Sequence, residues 1–228
     1  MTSYQYEGRL TKNKYLGPQF SENFRALFFG PTGSGKTSLV FDLLNTDDIF
    51  KNKFDKITYF YNVYQEIFKN KKILFIQGPP LLEHLNEKNT KDRTKHKLWI
   101  LDDLMSYFSA NNIFFSNLFT QYSHHNNISI MLLVQNLFYK SPVYRTASIN
   151  CSHLIIFKSP RDSSVIIHLS KQIFPGNPKI LNSIYKAATY NKAYSYIFID
   201  LTQNMLDKFR ISTNITTDKP LFYIEQNE

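Results

Sequence analysis

Short apolar runs separated by polar, turn-forming stretches recur along most of this chain. Residues 25–29, 57–61, 73–77, 98–101, 128–134, 152–158 and 194–200 have the length and the β-branched or aromatic content of buried strands. Between them, residues 36–44, 112–122, 163–173 and 178–189 predict helices; in 112–122 the apolar positions are Ile113, Phe114, Leu118 and Tyr122. Gly78, Pro79 and Pro80 stop the third strand, and residues 81–86 predict a short helix after them. Residues 83–97 are highly charged without apolar periodicity, which predicts a surface loop. Strands alternating with helices are the signature of a largely parallel sheet. The expected organisation is a polar arm over residues 1–24, one α/β domain over 25–200 and an appended arm over 201–228. No internal repeat or low-complexity segment interrupts it.

Composition narrows the picture. The chain has 228 residues and a single cysteine, Cys151, which excludes an intramolecular disulfide and a four-thiolate zinc site and suits a reducing compartment. No apolar run approaches the roughly 20 residues that span a bilayer, so no membrane is expected among the partners. The first eight residues lack the charged and then apolar regions of a secretory signal, so the protein is expected to stay in the compartment where it is made. A formal charge of +9 favours a polyanion, whether DNA, RNA or an anionic membrane. A Lys-, Asn-, Ile-, Tyr- and Phe-rich chain from an AT-rich coding genome accounts for the same charge. The 20 Phe and 15 Tyr sit largely in strand-like runs, which suits core filling better than base stacking.

The candidate chemistry begins directly after the first core strand. Gly30, Pro31, Thr32, Gly33, Ser34, Gly35, Lys36 and Thr37 form a Gly-x4-Gly-Lys-Thr pattern, followed by Ser38 in the predicted helix. Gly33 and Gly35 let the loop wrap with its N–H groups inward, and the helix N-terminus adds positive potential, so Gly30, Thr32, Gly33, Ser34, Gly35, Lys36, Thr37 and Ser38 form a candidate phosphate cradle for ATP. Lys36 would reach the β- and γ-phosphates and the Thr37 hydroxyl would ligate Mg2+. A glycine-rich turn that only joins strand to helix is the competing account, and the flanking strand and helix weigh against it.

About 60 residues further on, Leu98-Trp99-Ile100-Leu101-Asp102-Asp103 is a buried strand ending in two carboxylates. It reads as a Walker B strand, with Asp102 on Mg2+ and Asp103 as general base to the attacking water. A helix N-cap followed by a second acid fits the same residues. Gln135, at the tip of the strand over residues 128–134, is the candidate sensor of the γ-phosphate or lytic water, and Asn136 beside it reads as a turn residue. His124 and His125 are adjacent on a helix and point apart, which is poor metal geometry, and Cys151 with His153 lacks a partner pair.

These motifs, in the order residues 30–37, Leu101-Asp102-Asp103-Leu104-Met105, His124-His125, Ile128-Ser129, Leu133-Val134-Gln135-Asn136-Leu137-Phe138, Arg145 and Ser159-Pro160-Arg161-Asp162, resemble the poxvirus-type genome-packaging ATPases of the FtsK/HerA superfamily, found in large DNA viruses, virophages and Polinton-like elements. The resemblance covers roughly residues 25–200, and Asp103 departs from the glutamate common in the wider superfamily. It implies an α/β P-loop NTPase with a mostly parallel central sheet flanked by helices. It further implies a homo-oligomeric ring, a hexamer or pentamer, that hydrolyses ATP with Mg2+ at subunit interfaces and drives double-stranded DNA through a capsid vertex or portal-like component into a preformed capsid. The expected location is the host-cell site of virion assembly, a cytoplasmic virus factory or the nucleus, or the virion itself. Such rings use an arginine from the neighbouring subunit, and Arg145 and Arg161 are the candidates, with a solvated surface arginine as the competing account for each. A non-packaging FtsK/HerA-type motor or assembly ATPase, and a P-loop nucleotide or small-molecule kinase, are the alternatives; no Arg-rich lid segment supports the kinase.

Overall fold

Seven consecutive residues, Ile128–Val134, form a strand in which every side chain is buried, the pattern of a strand covered on both faces. The computed structural model describes residues 4–7, 18–69, 73–86, 92–108, 112–160, 163–190, 192–217 and 219–224. Among these the strands are β1 (Tyr4–Glu7), β2 (Arg25–Phe29), β3 (Lys56–Tyr61), β4 (Leu74–Gln77), β5 (Lys97–Asp102), β6 (Ile128–Val134), β7 (His153–Phe157), β8 (Tyr196–Asp200), β9 (Ile211–Thr213) and β10 (Leu221–Ile224). The helices are α1 (Lys36–Leu44), α2 (Leu82–Asn86), α3 (Ile113–Asn117), α4 (Ser123–His125), α5 (Pro142–Ile149), α6 (Ser163–Ile173) and α7 (Ile180–Thr189). The chain divides into two compact units, each assembled from separate stretches of sequence.

One unit comprises Phe20–Phe28 and Phe50–His153. Its strands are ordered β2-β6-β5-β3-β4, and the pairs β6 with β5, β5 with β3 and β3 with β4 run parallel. This is the α/β arrangement expected from the alternating pattern, a mostly parallel sheet flanked by helices. Phe20, Phe24, Phe50 and Phe54 pack ring against ring with His96 and His153, and Nε2 of His96 meets the Ser129 hydroxyl at 2.9 Å. Burial holds the His96 imidazole below its ordinary pKa. The buried Lys97, at the start of β5, donates to the carbonyls of Asp92 and Asn126 at 2.6 and 2.7 Å, which satisfies an ammonium held out of water.

The other unit comprises Met1–Gln19, Phe29–Ile49 and Leu154–Glu228. Its strands are ordered β1-β10-β9-β8-β7, with antiparallel pairing of β1 to β10, β10 to β9 and β9 to β8. Helix α7 is pinned to the end of β7 by Tyr185, whose hydroxyl donates to the Phe157 carbonyl at 3.1 Å and accepts from the Ser159 N–H at 2.7 Å.

Several elements differ from the sequence pattern. The helix predicted over residues 112–122 is α-helical only through α3 and then widens into a π-helical turn, Leu118–Tyr122, before α4. Residues 201–228, read as an arm, contain β9, β10 and the 3-10 turn Asp207–Phe209; β1, in the N-terminal arm, pairs with β10. Helix α5 was not expected, although it has a helix start: Pro142 at its first turn, and Ser141 accepting the Tyr144 N–H at 3.3 Å. The charged loop over 83–97 is shorter than expected, since α2 reaches into it and Lys97 already belongs to β5; residues 87–91 lie outside the described residues.

Candidate nucleotide-binding site

The glycine-rich loop follows β2 without a spare residue, because Gly30 comes directly after Phe29. A Cβ added to Gly30 would lie 2.7 Å from Phe157 Cβ and 2.7 Å from Ser34 Oγ, so no other residue fits there without displacing a neighbour. Gly33 and Gly35 take φ of 75° and 98°, the left-handed region that side chains disfavour. The Ser34 N–H donates to the Pro31 carbonyl at 3.2 Å and closes the turn. Gly35 then caps α1 with no side-chain acceptor, and no acidic residue stands in the first helical turn. The positive end of the α1 dipole therefore meets no carboxylate of its own first turn, which favours an anion there. Lys36 is largely buried, and its ammonium donates to the carbonyls of Gly30 and Pro31 at 2.6 and 3.0 Å, which fixes the positive charge over the loop. The buried Ser34 hydroxyl has no hydrogen-bond partner among the described residues. Thr32, Thr37 and Ser38 lie in the same loop and first helical turn.

In the other unit, β5 is buried along its whole length and ends at Asp102. One carboxylate oxygen of Asp102 accepts from the Tyr59 hydroxyl at 2.6 Å and from Gln65 Nε2 at 3.3 Å. Tyr59 is fully buried on β3, the parallel neighbour of β5, so the sheet itself sets this bond. Asp103 leaves the strand with φ of 56°, a conformation that Asp tolerates better than most residues. Its N–H donates to the Leu133 carbonyl at 3.3 Å, and its carboxylate accepts from Gln135 Nε2 at 3.0 Å. The fold thus brings together Asp103 and Gln135, which the sequence singled out separately.

The remaining candidates are placed as follows. Arg145 is exposed on α5. Arg161 lies outside the described residues. Cys151 is buried, its thiol pushed up to about 12 by that burial against a smaller opposing pull from Arg25, and it donates to the Ala147 carbonyl at 3.3 Å. Such a thiol is inert as a nucleophile. Sequence reasoning missed Tyr59 and Gln65. Finding Tyr59 requires knowing that β3 lies beside β5, and Gln65 carries no local signal.

No protein-family model matches the chain, and no curated protein matches it in sequence. Solved structures do match in shape. The genome packaging NTPase B204 from Sulfolobus turreted icosahedral virus 2, in complex with sulfate, superposes with a TM-score of 0.56 at 14% identity, over 87% of this chain and 96% of that one. Its complex with ATP-gammaS gives 0.53 at 14% identity, over 83% and 95%. Its AMPPCP complex gives 0.50 at 15% identity, over 78% and 93%. At such identities the likeness is one of architecture, and in architecture this chain is an α/β protein with the P-loop NTPase fold.

Proposed function

We propose that this protein is an ATPase that translocates double-stranded DNA and packages a viral genome into a preformed capsid, acting as a homo-oligomeric ring of six or five subunits. The observation that carries the nucleotide reading is the loop over residues 30–37: two left-handed glycines, a third glycine with no room for a Cβ, a buried lysine over the loop and an uncapped helix start. That combination suits a phosphate chain and nothing apolar. The Ser34 hydroxyl, buried and without a hydrogen-bond partner among the described residues, fits the same account, since a phosphate oxygen would accept from it.

In this reading Gly30, Thr32, Gly33, Ser34, Gly35, Lys36, Thr37 and Ser38 hold the phosphates of ATP. Thr37 and Asp102 would hold Mg2+, whose positive charge neutralises the phosphate oxygens when bound. The Tyr59 and Gln65 bonds keep the Asp102 carboxylate in one orientation. Asp103 takes the proton of the attacking water, and Gln135, hydrogen-bonded to it, orients that water. Arg145, exposed on a helix, is available to a neighbouring subunit's nucleotide, and Arg161 keeps the same assignment from its place in the motif order. DNA as the track, a capsid vertex as the docking partner and the virion assembly site as the location rest on the motif resemblance and, for DNA, on the +9 charge.

The test is the ATPase rate with and without long double-stranded DNA, on the intact chain and on Lys36→Ala. The expected result is turnover that DNA stimulates and that Lys36→Ala abolishes. Turnover indifferent to DNA would remove the motor assignment and favour a nucleotide kinase. Undiminished turnover in Lys36→Ala would remove the site itself.

A further inference from the structure

Beside the phosphate loop stands a residue that neither the motifs nor the core explains. Tyr194 is 72% exposed, yet its backbone has φ of 53°, a region that a bulky side chain occupies only when its surroundings hold it there. The residues flanking it in the chain are anchored. The Ser195 carbonyl accepts from the Lys158 N–H at 2.8 Å, the Ser195 hydroxyl donates to the Lys192 carbonyl at 2.9 Å, and the Lys192 ammonium donates to Asn214 Oδ1 at 2.7 Å. The result places Tyr194 against the start of α1: a Cβ on Gly35 would meet Tyr194 Cβ and Cδ1 at 3.6 and 3.7 Å. An aromatic ring thus stands beside the cradle with most of its surface turned to solvent.

A nucleoside triphosphate seated by its phosphates on residues 30–37 continues into a ribose and a base, and an aromatic face is a favourable partner for the base. We propose that Tyr194 is the stacking platform for the base of the bound purine nucleoside triphosphate, and so determines how strongly the site prefers a nucleotide to a bare triphosphate. The inference rests on the reading of residues 30–37 as the phosphate cradle.

Calorimetric titration of wild type, Tyr194→Asn and Tyr194→Phe with Mg-ATP and with magnesium tripolyphosphate tests it. Asparagine tolerates the left-handed backbone and removes the ring; phenylalanine keeps the ring. Tyr194→Asn should weaken ATP roughly 5- to 150-fold, the range of single base–aromatic stacks, and leave tripolyphosphate affinity unchanged. Tyr194→Phe should bind both ligands as wild type does. Equal loss of both ligands in Tyr194→Asn would mean that the ring merely supports the loop, and no loss of either would mean that it does nothing for binding; both outcomes overturn the proposal. A wild-type protein that binds tripolyphosphate as tightly as ATP overturns it while sparing the cradle, whereas binding of neither ligand overturns both.

Discussion

Tyr59→Phe removes one oxygen atom from a fully buried ring and leaves its shape intact, so its effect reports on the bond between that hydroxyl and Asp102. That bond, 2.6 Å to the Asp102 carboxylate, lies in a strand pair with Tyr59 fully buried and Asp102 at 5% exposure. A hydrogen bond to a charged group contributes about 1.5–3 kcal/mol, and the lower end already assumes that the stranded acceptor finds partial relief. Gln65 offers some, but its 3.3 Å approach is long. For a chain of this size each kcal/mol shifts the melting temperature by about 2–4 °C, so the expected drop is about 3–12 °C. Thermal unfolding without nucleotide measures it. The same substitution in an Asp102→Ala background should be neutral or slightly stabilising, because there the tyrosine hydroxyl has lost this acceptor. An equal loss in both backgrounds, or none in either, would refute the claim that this bond restrains Asp102.

Gly30→Ala should destabilise the fold by about 1–3 kcal/mol, because the new methyl meets Phe157 Cβ at 2.7 Å and that atom cannot rotate away; an unchanged denaturant midpoint would contradict the close approach. Asp103→Asn tolerates the left-handed backbone, so ATP binding should survive while hydrolysis falls by about 10²–10⁴, read as single-turnover rate beside nucleotide affinity. Because burial lowers the His96 pKa, the unfolded chain takes up that proton first as pH drops below about 6.5. Stability is then complete above that pH and declines below it, by at most about 1.4 kcal/mol per pH unit, and His96→Gln should flatten denaturant midpoints compared between pH 7.5 and 5.5. A slope unchanged in that variant would assign the effect to another group.

The conformation of the glycine-rich loop was legible in the sequence because its demands are local: a turn with two left-handed positions and a close approach needs glycine, whatever surrounds it. Strands β5, β6 and β7 were legible for a related reason, since unbroken apolar runs are buried in any arrangement. The Asp102 environment was not, because Tyr59 lies 43 residues away and becomes its neighbour only through strand order. Strands β9 and β10 are three and four residues long, too short for an alternating pattern to emerge from the polar background. Helix α5 was missed despite its serine cap and proline, because Val143, Thr146 and Ile149 are β-branched and dilute the helical signal. The π-helical turn at Leu118–Tyr122 leaves no mark in apolar spacing.

The pairing of β1 with β10 sets a clock on biosynthesis. Tyr4 lies opposite Ile224, so the two strands that meet are separated by roughly 210 residues of chain. At about 5–20 residues per second, β1 leaves the ribosome roughly 10–40 s before its partner exists. Through that interval its backbone groups must be met by water or by a chaperone, and an edge left waiting is open to pairing with another nascent chain. Closing so long a loop also costs about 3 kcal/mol more entropy than closing a ten-residue hairpin. The β1–β10 ladder is therefore expected to be the last part of its unit to close.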